Sequence, residues 1–244
     1  MILKASFRPF MKVFPMSMEF DNPRLQAGIS NLERSRFEAA FEVFFDIAVN
    51  EADEEAAFAL TRMCFDGQLN PEQVNKLFEW LNSYSRESNG YANFNVGLMY
   101  ELGMGEIARN VKTAVHYYEK AIKDEVLDAY CNLGNIYVFG TGLDQGVPKD
   151  IPRGVELLTV GANAGSRVAA YNLGTLYEKG TAITQDYDQA FYFLTLATLQ
   201  KHEHAHRCLI IFEKAIKGDF TKVYDAAEQQ YWKIQNMRKL YRSL

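Results

Sequence analysis

The chain has 244 residues, enough for one or two domains with a sizeable core, and its 48% hydrophobic and 23% charged residues exclude a largely disordered polymer. A net charge of −5 argues against a nucleic-acid-coating surface, and no apolar run approaches the roughly eighteen residues of a membrane span. Only 16 Gly and 6 Pro argue against short-turned β-architectures.

Residues 1–21 read as a flexible arm or an upstream start. Lys4, Arg8 and Lys12 would form a basic helical stripe, but Pro9 lies between them and breaks it. The arm has no apolar core of signal-peptide length, so the expected compartment is cytoplasmic. Asn22-Pro23 is a helix-start signal, followed by Leu25, Ile29 and Leu32 on one face. Residues 22–35 are therefore expected to form an N-terminal capping helix.

Residues 36–218 are organised by a repeat. Ala92 to Tyr100, Ala129 to Tyr137 and Ala169 to Tyr177 share the frame Ala-x-x-Asn-apolar-Gly-x-apolar-Tyr, at spacings of 37 and 40 residues. Gly97, Gly134 and Gly174 stand inside the frame, with Tyr100, Tyr137 and Tyr177 closing it. A further glycine follows each tyrosine, at Gly103, Gly140 and Gly180. Ala56 to Cys64 and Ala205 to Glu213 are degenerate copies, giving about five repeats.

Each frame has helical period, and a mid-helix glycine costs about 1 kcal/mol against alanine. A glycine recurring at one position needs a common reason, and the close approach of a neighbouring helix supplies one. The trailing glycines suit left-handed helix ends. Between frames lie second amphipathic segments, such as Val111, Ala114, Val115, Tyr118, Ala121 and Ile122. Stacked helix–turn–helix hairpins bury these faces continuously, which is a helical solenoid. Asp219 to Arg242 is expected to close it with a long helix, so that 219–244 is a C-terminal cap. Val223, Ala226, Ala227, Gln230, Tyr231 and Ile234 would face inward.

The alternation of Ala-x-x-x-Leu-Gly-x-x-Tyr-x-x-Gly helices with a helix such as Val111 to Ala121 resembles the Sel-one-like repeat family, relatives of the tetratricopeptide repeats. The resemblance covers about residues 36–216 and is strongest from Ala114 to Gly180. It departs at Pro71 to Ser88, where Leu77 and Tyr84 replace small residues. It implies an all-α, right-handed α-solenoid with terminal capping helices, acting as a scaffold or adaptor without intrinsic catalysis or cofactor.

If the segments between frames are first helices and line the concave side, their polar faces form a groove for a protein or peptide. Those faces carry Lys76, Glu79 and Ser83; Thr113, His116 and Lys120; Arg153, Glu156 and Val160; and Gln189, Tyr192 and Leu196. Trp80, Tyr117, Leu157 and Phe193 run beside them at equivalent positions, with packing favoured over ligand contact.

The alternative is a redox or metal-dependent accessory protein. His202-Glu203-His204-Ala205-His206 matches the His-Glu-x-x-His zinc-protease string, making His202 and His206 weak metal candidates. Its placement at a helix start within the repeat frame favours a solvated terminus. Cys64, Cys131 and Cys208 fall on equivalent helices two repeats apart, too distant for an internal disulfide, and read as buried structural thiols.

Overall fold

The computed structural model describes residues 23–51, 53–85, 89–202, 204–206, 209–210 and 219–241, and their regular structure is entirely helical. The chain divides into two compact units, residues 1–110 and 111–244. The expected arm at 1–21 and Cys208 lie outside the described residues.

The first unit contains α1 (Pro23–Glu33), α2 (Phe37–Glu51), α3 (Glu54–Phe65), α4 (Pro71–Ser85) and α5 (Gly90–Leu102). Its core is aromatic and aliphatic, with Phe41, Phe44, Ile47, Leu60, Met63, Leu77 and Leu81 fully buried. The α1–α2 pair closes because Gly28 has no side chain: a Cβ there would run into the Phe44 ring. Asp53 and Asn89 start α3 and α5, their side chains accepting from the Ala56 and Ala92 amides at 2.8 Å. Both frames therefore begin with a side-chain cap three residues before their leading apolar residues.

The second unit contains α6 (Val111–Lys123), α7 (Leu127–Phe139), α8 (Ile151–Ala164), α9 (Arg167–Lys179), α10 (Tyr187–Leu199) and α11 (Thr221–Tyr241). Sequential helices pack on one another from α6 to α10. Glycine sets the closest approach: a Cβ at Gly154 would lie 2.7 Å from the Gly134 carbonyl oxygen, and one at Gly134 would lie 2.8 Å from Leu158 Cγ. At the equivalent place a Cβ at Gly174 would meet Leu194 Cγ at 2.7 Å. The expected reason for Gly134 and Gly174 is thus correct, and both close against a leucine. Gly97 is likewise buried. Polar groups also cross the stack, since Asn172 Nδ2 on α9 donates to Asn135 Oδ1 on α7 at 3.3 Å.

The trailing glycines Gly103, Gly140 and Gly180 end α5, α7 and α9 at φ of 67°, 66° and 62°. The longer turn after Gly140 is an anchored one. Gln145 accepts a hydrogen bond from the Val111 amide, which would otherwise be an unsatisfied donor at the start of α6.

Helix α11 folds back across the unit. Ala227 and Ile234 are fully buried, Gln230 donates to the Asn163 carbonyl at 2.9 Å, and Arg238 donates to the Gly165 carbonyl at 3.0 Å. A cation at the end of α8 also complements its macrodipole. Ala226, expected inward, is exposed. Small size let the sequence pattern assign it to either side, and the buried face is narrower than the pattern suggested.

Candidate protein-binding surface

In the first unit the expected binding residues cluster on α4 against α2. Trp80 lies 5.2 Å from Tyr84 and 6.0 Å from Phe45, and Phe45 stacks on Phe41 at 5.3 Å. Lys76 places its ammonium 4.4 Å from the Phe45 ring centre and 3.8 Å from the Glu42 carboxylate. Lys76 and Glu79 are exposed, while Trp80 is half-buried. The aromatic row therefore belongs to the helix contact, with a mixed-charge edge outside it.

In the second unit α6, α8 and α10 carry the remaining residues. His116, Arg153, Glu156 and Gln189 are exposed, while Thr113, Tyr117, Lys120 and Tyr192 are half-buried. Lys120 sits 5.3 Å over the Tyr117 ring. Arg153 bridges three helices: its guanidinium lies 3.0 Å from Glu119 on α6 and 4.6 Å from the Tyr137 ring on α7. Sequence spacing could not reveal that bridge, because Glu119 is 34 positions from Arg153. Burial raises the Tyr137 and Tyr192 phenols above their ordinary value.

One expected surface position is corrected: Leu196 is fully buried, in the core cluster that also holds Ile234 of α11 and the nearly buried Phe193, for which packing is the favoured expectation. The docking of a helix distant in sequence gives α10 a wider buried face than its own period indicates. One surface feature went unpredicted. An open cleft of about 730 Å³ lies between the first turns of α8 (Ile151, Pro152, Val155) and the loop Gly180 to Thr184. Its sole sequence trace is the apolar pair Ala182-Ile183 inside a turn.

The His-Glu-x-x-His string is not assembled as a metal site among the described residues. His202 is buried, stacked 4.3 Å from Tyr171, and its Nδ1 accepts from the His204 amide at 3.3 Å. His206 is exposed, and no group of three potential ligands converges among the described residues. Burial, then His204 and Arg167, lowers the His202 imidazole to about 4. Cys64 and Cys131 are buried free thiols, as expected. Burial pushes Cys64 up to about 12, so it stays protonated at neutral pH and lacks the thiolate a nucleophile needs.

The family model described as Sel1 repeat matches residues 90–124, 127–166 and 167–202. Those three stretches are Sel1-like repeats. The matched intervals begin on α5, α7 and α9, the helices that the repeat frame alone places second in each hairpin. A periodic sequence marks no starting point, while the Gly134–Gly154 approach couples α7 to the helix that follows it. The polar faces of α6, α8 and α10 thus belong to second helices, and the first-helix premise does not select them.

The component HRD3B of an ERAD-associated E3 ubiquitin-protein ligase from Arabidopsis thaliana is 31% identical over 109 residues, covering 45% of this chain and 16% of its own length. The chain thus spans about a sixth of that relative. A Sel1 repeat protein from Oxalobacter formigenes superposes with a TM-score of 0.57 at 19% identity, covering 86% of this chain and 84% of the other. A Sel1 repeat protein from Klebsiella pneumoniae subsp. pneumoniae gives 0.47 at 15% identity, covering 78% and 91%. The Oxalobacter likeness supports the helical-repeat solenoid fold.

Proposed function

We propose that this Sel1-repeat chain is an adaptor that binds a protein or an extended peptide. The observation that carries this reading is a repeated exposed stripe on α6, α8 and α10: His116, then Arg153 and Glu156, then Gln189. Beside it, the cleft at Ile151, Val155 and Ala182 offers a place for an apolar side chain. Hot spots form where apolar anchors sit in pockets and polar groups around them set register. A relative that is a component of a larger ligase assembly supports the same role. The reading counts five hairpins, with Ala56 to Cys64 and the segment from Ala205 as degenerate outer copies.

The test is partner capture with the full chain and a His116→Ala/Glu156→Lys/Gln189→Ala variant. These exposed positions should each shift stability by under about 0.5 kcal/mol, so melting should be nearly unchanged. Binding should fall sharply. Full retention of the same partners would remove this stripe from consideration.

A further inference from the structure

Helix α6 buries Val111, Ala114, Tyr118 and Ala121 on one side and turns its cations to the other. At about 100° per residue, Lys112, His116, Lys120 and Lys123 fall within an arc of about 80° centred opposite that buried stripe. Lys112, His116 and Lys123 are exposed, and half-buried Lys120 is held 5.3 Å over the Tyr117 ring. Glu119 is the helix's one acid, and Arg153 of α8 already engages it at 3.0 Å. Asp124 and Glu125 lie beyond the helix end, and among the described residues none of the three lysines pairs with a carboxylate. The helix macrodipole favours Lys120 and Lys123 in the last turn. It disfavours Lys112 in the first turn, where no acid stands. In a chain of net charge −5, this ridge is a local excess of positive charge that the fold itself leaves unneutralised.

We propose that the α6 ridge binds an acidic peptide in extended form, with carboxylates at alternate positions meeting Lys112, His116 and Lys120. The proposal rests on the protein-binding reading and names the chemistry of the partner at the α6 end of that stripe, since His116 belongs to both. Charge complementarity selects the occupant, and spacing selects its conformation. Fourth neighbours on a helix rise by about 6 Å, and alternate side chains of an extended chain stand about 6.6 Å apart on one face. A strand lying along α6 therefore brings successive acids over successive members of the ridge, and the long lysine side chains absorb the small mismatch. The positive end of the macrodipole adds to Lys112 at one end, and Lys123 adds a second cation beside Lys120 at the other. A nucleic acid needs a broader positive surface, whereas Glu119 and the exposed Glu156 of α8 confine the positive charge to one helix.

Fluorescence anisotropy of the full chain with a labelled peptide of alternating Glu and Ser tests the proposal. The wild type should bind it, with an affinity that falls as salt rises. Lys112→Glu should weaken binding by roughly tenfold or more, since it sets an acid against an acid. The same variant should melt at or above the wild-type temperature, because it places an acid in the first turn of α6. A peptide of alternating Gln and Ser should not bind, and one with the same glutamates in adjacent pairs should bind several-fold more weakly. Absence of binding overturns the proposal, as does indifference to Lys112→Glu or equal affinity for the two acidic peptides. Tighter binding of a single-stranded oligonucleotide at the same salt overturns it too. The His116→Ala/Glu156→Lys/Gln189→Ala variant keeps all three lysines, which separates the two readings. If that variant loses partner capture while the wild type ignores the acidic peptide, the adaptor reading stands and the acidic partner is wrong.

Discussion

A methyl group at Gly134 would stand 2.8 Å from Leu158 Cγ and 3.0 Å from the Gly154 carbonyl oxygen, one of them backbone that cannot rotate away. Gly134→Leu is therefore expected to overpack the α7–α8 contact and cost about 1–3 kcal/mol, read as a lowered urea midpoint. An unchanged midpoint would show that α8 yields without loss. His202 poses a pH-dependent question on the same scale. Its imidazole is neutral and stacked on Tyr171, with a folded value near 4 against an ordinary value near 6.5. Below about 6.5 the unfolded chain takes up the proton first, so stability from this group is complete above that pH and is lost as pH falls toward 4. The wild-type melting temperature should fall through that window, and His202→Phe should remove this component. Identical pH profiles for the two proteins would show that the imidazole titrates normally when folded.

At the scale of the element, three helix ends share one backbone and use three different residues. Glu125, Gly165 and Lys201 all have positive φ, at 57°, 109° and 60°. After each, the next amide bonds back to a carbonyl five residues earlier: Val126 to Ala121, Ser166 to Gly161, and His202 to Ala197. Glycine is absent at two of these ends, where the position is exposed, and present at the end on which α11 rests. A Cβ at Gly165 would lie 2.9 Å from Ile234 Cγ2. Glu125→Gly should therefore stabilise the protein by up to about 1 kcal/mol through relief of left-handed strain. Gly165→Ala should instead destabilise it and expose α11 to protease. Equal responses at the two sites would mean that backbone strain alone governs both, with no contribution from the α11 contact.

For the molecule as a whole, the order of its helices was legible in the chain, because the Ala-x-x-Asn-apolar-Gly-x-apolar-Tyr frame states periodicity, close approach and termination locally. Gly103, Gly140 and Gly180 were read as left-handed ends, and they are. Most of the polar face was legible too: Arg153, Glu156, His116 and Gln189 are exposed because they lie opposite a stripe that must be buried. Partnerships between distant residues were not legible. Arg153 meets Glu119 and Tyr137, Leu196 is buried within the cluster that includes Ile234, and the Gly180 to Thr184 turn forms a cleft with the start of α8. The physical reason is one of range. Helical period, caps and glycine are set by neighbours within a few positions along the chain, so the sequence by itself determined which residues form helices and which side of each turns inward. Which helix pairs with which, how far α11 reaches back, and which outward side chains another helix covers depend on surfaces brought together only by folding, and those the tertiary structure alone decided.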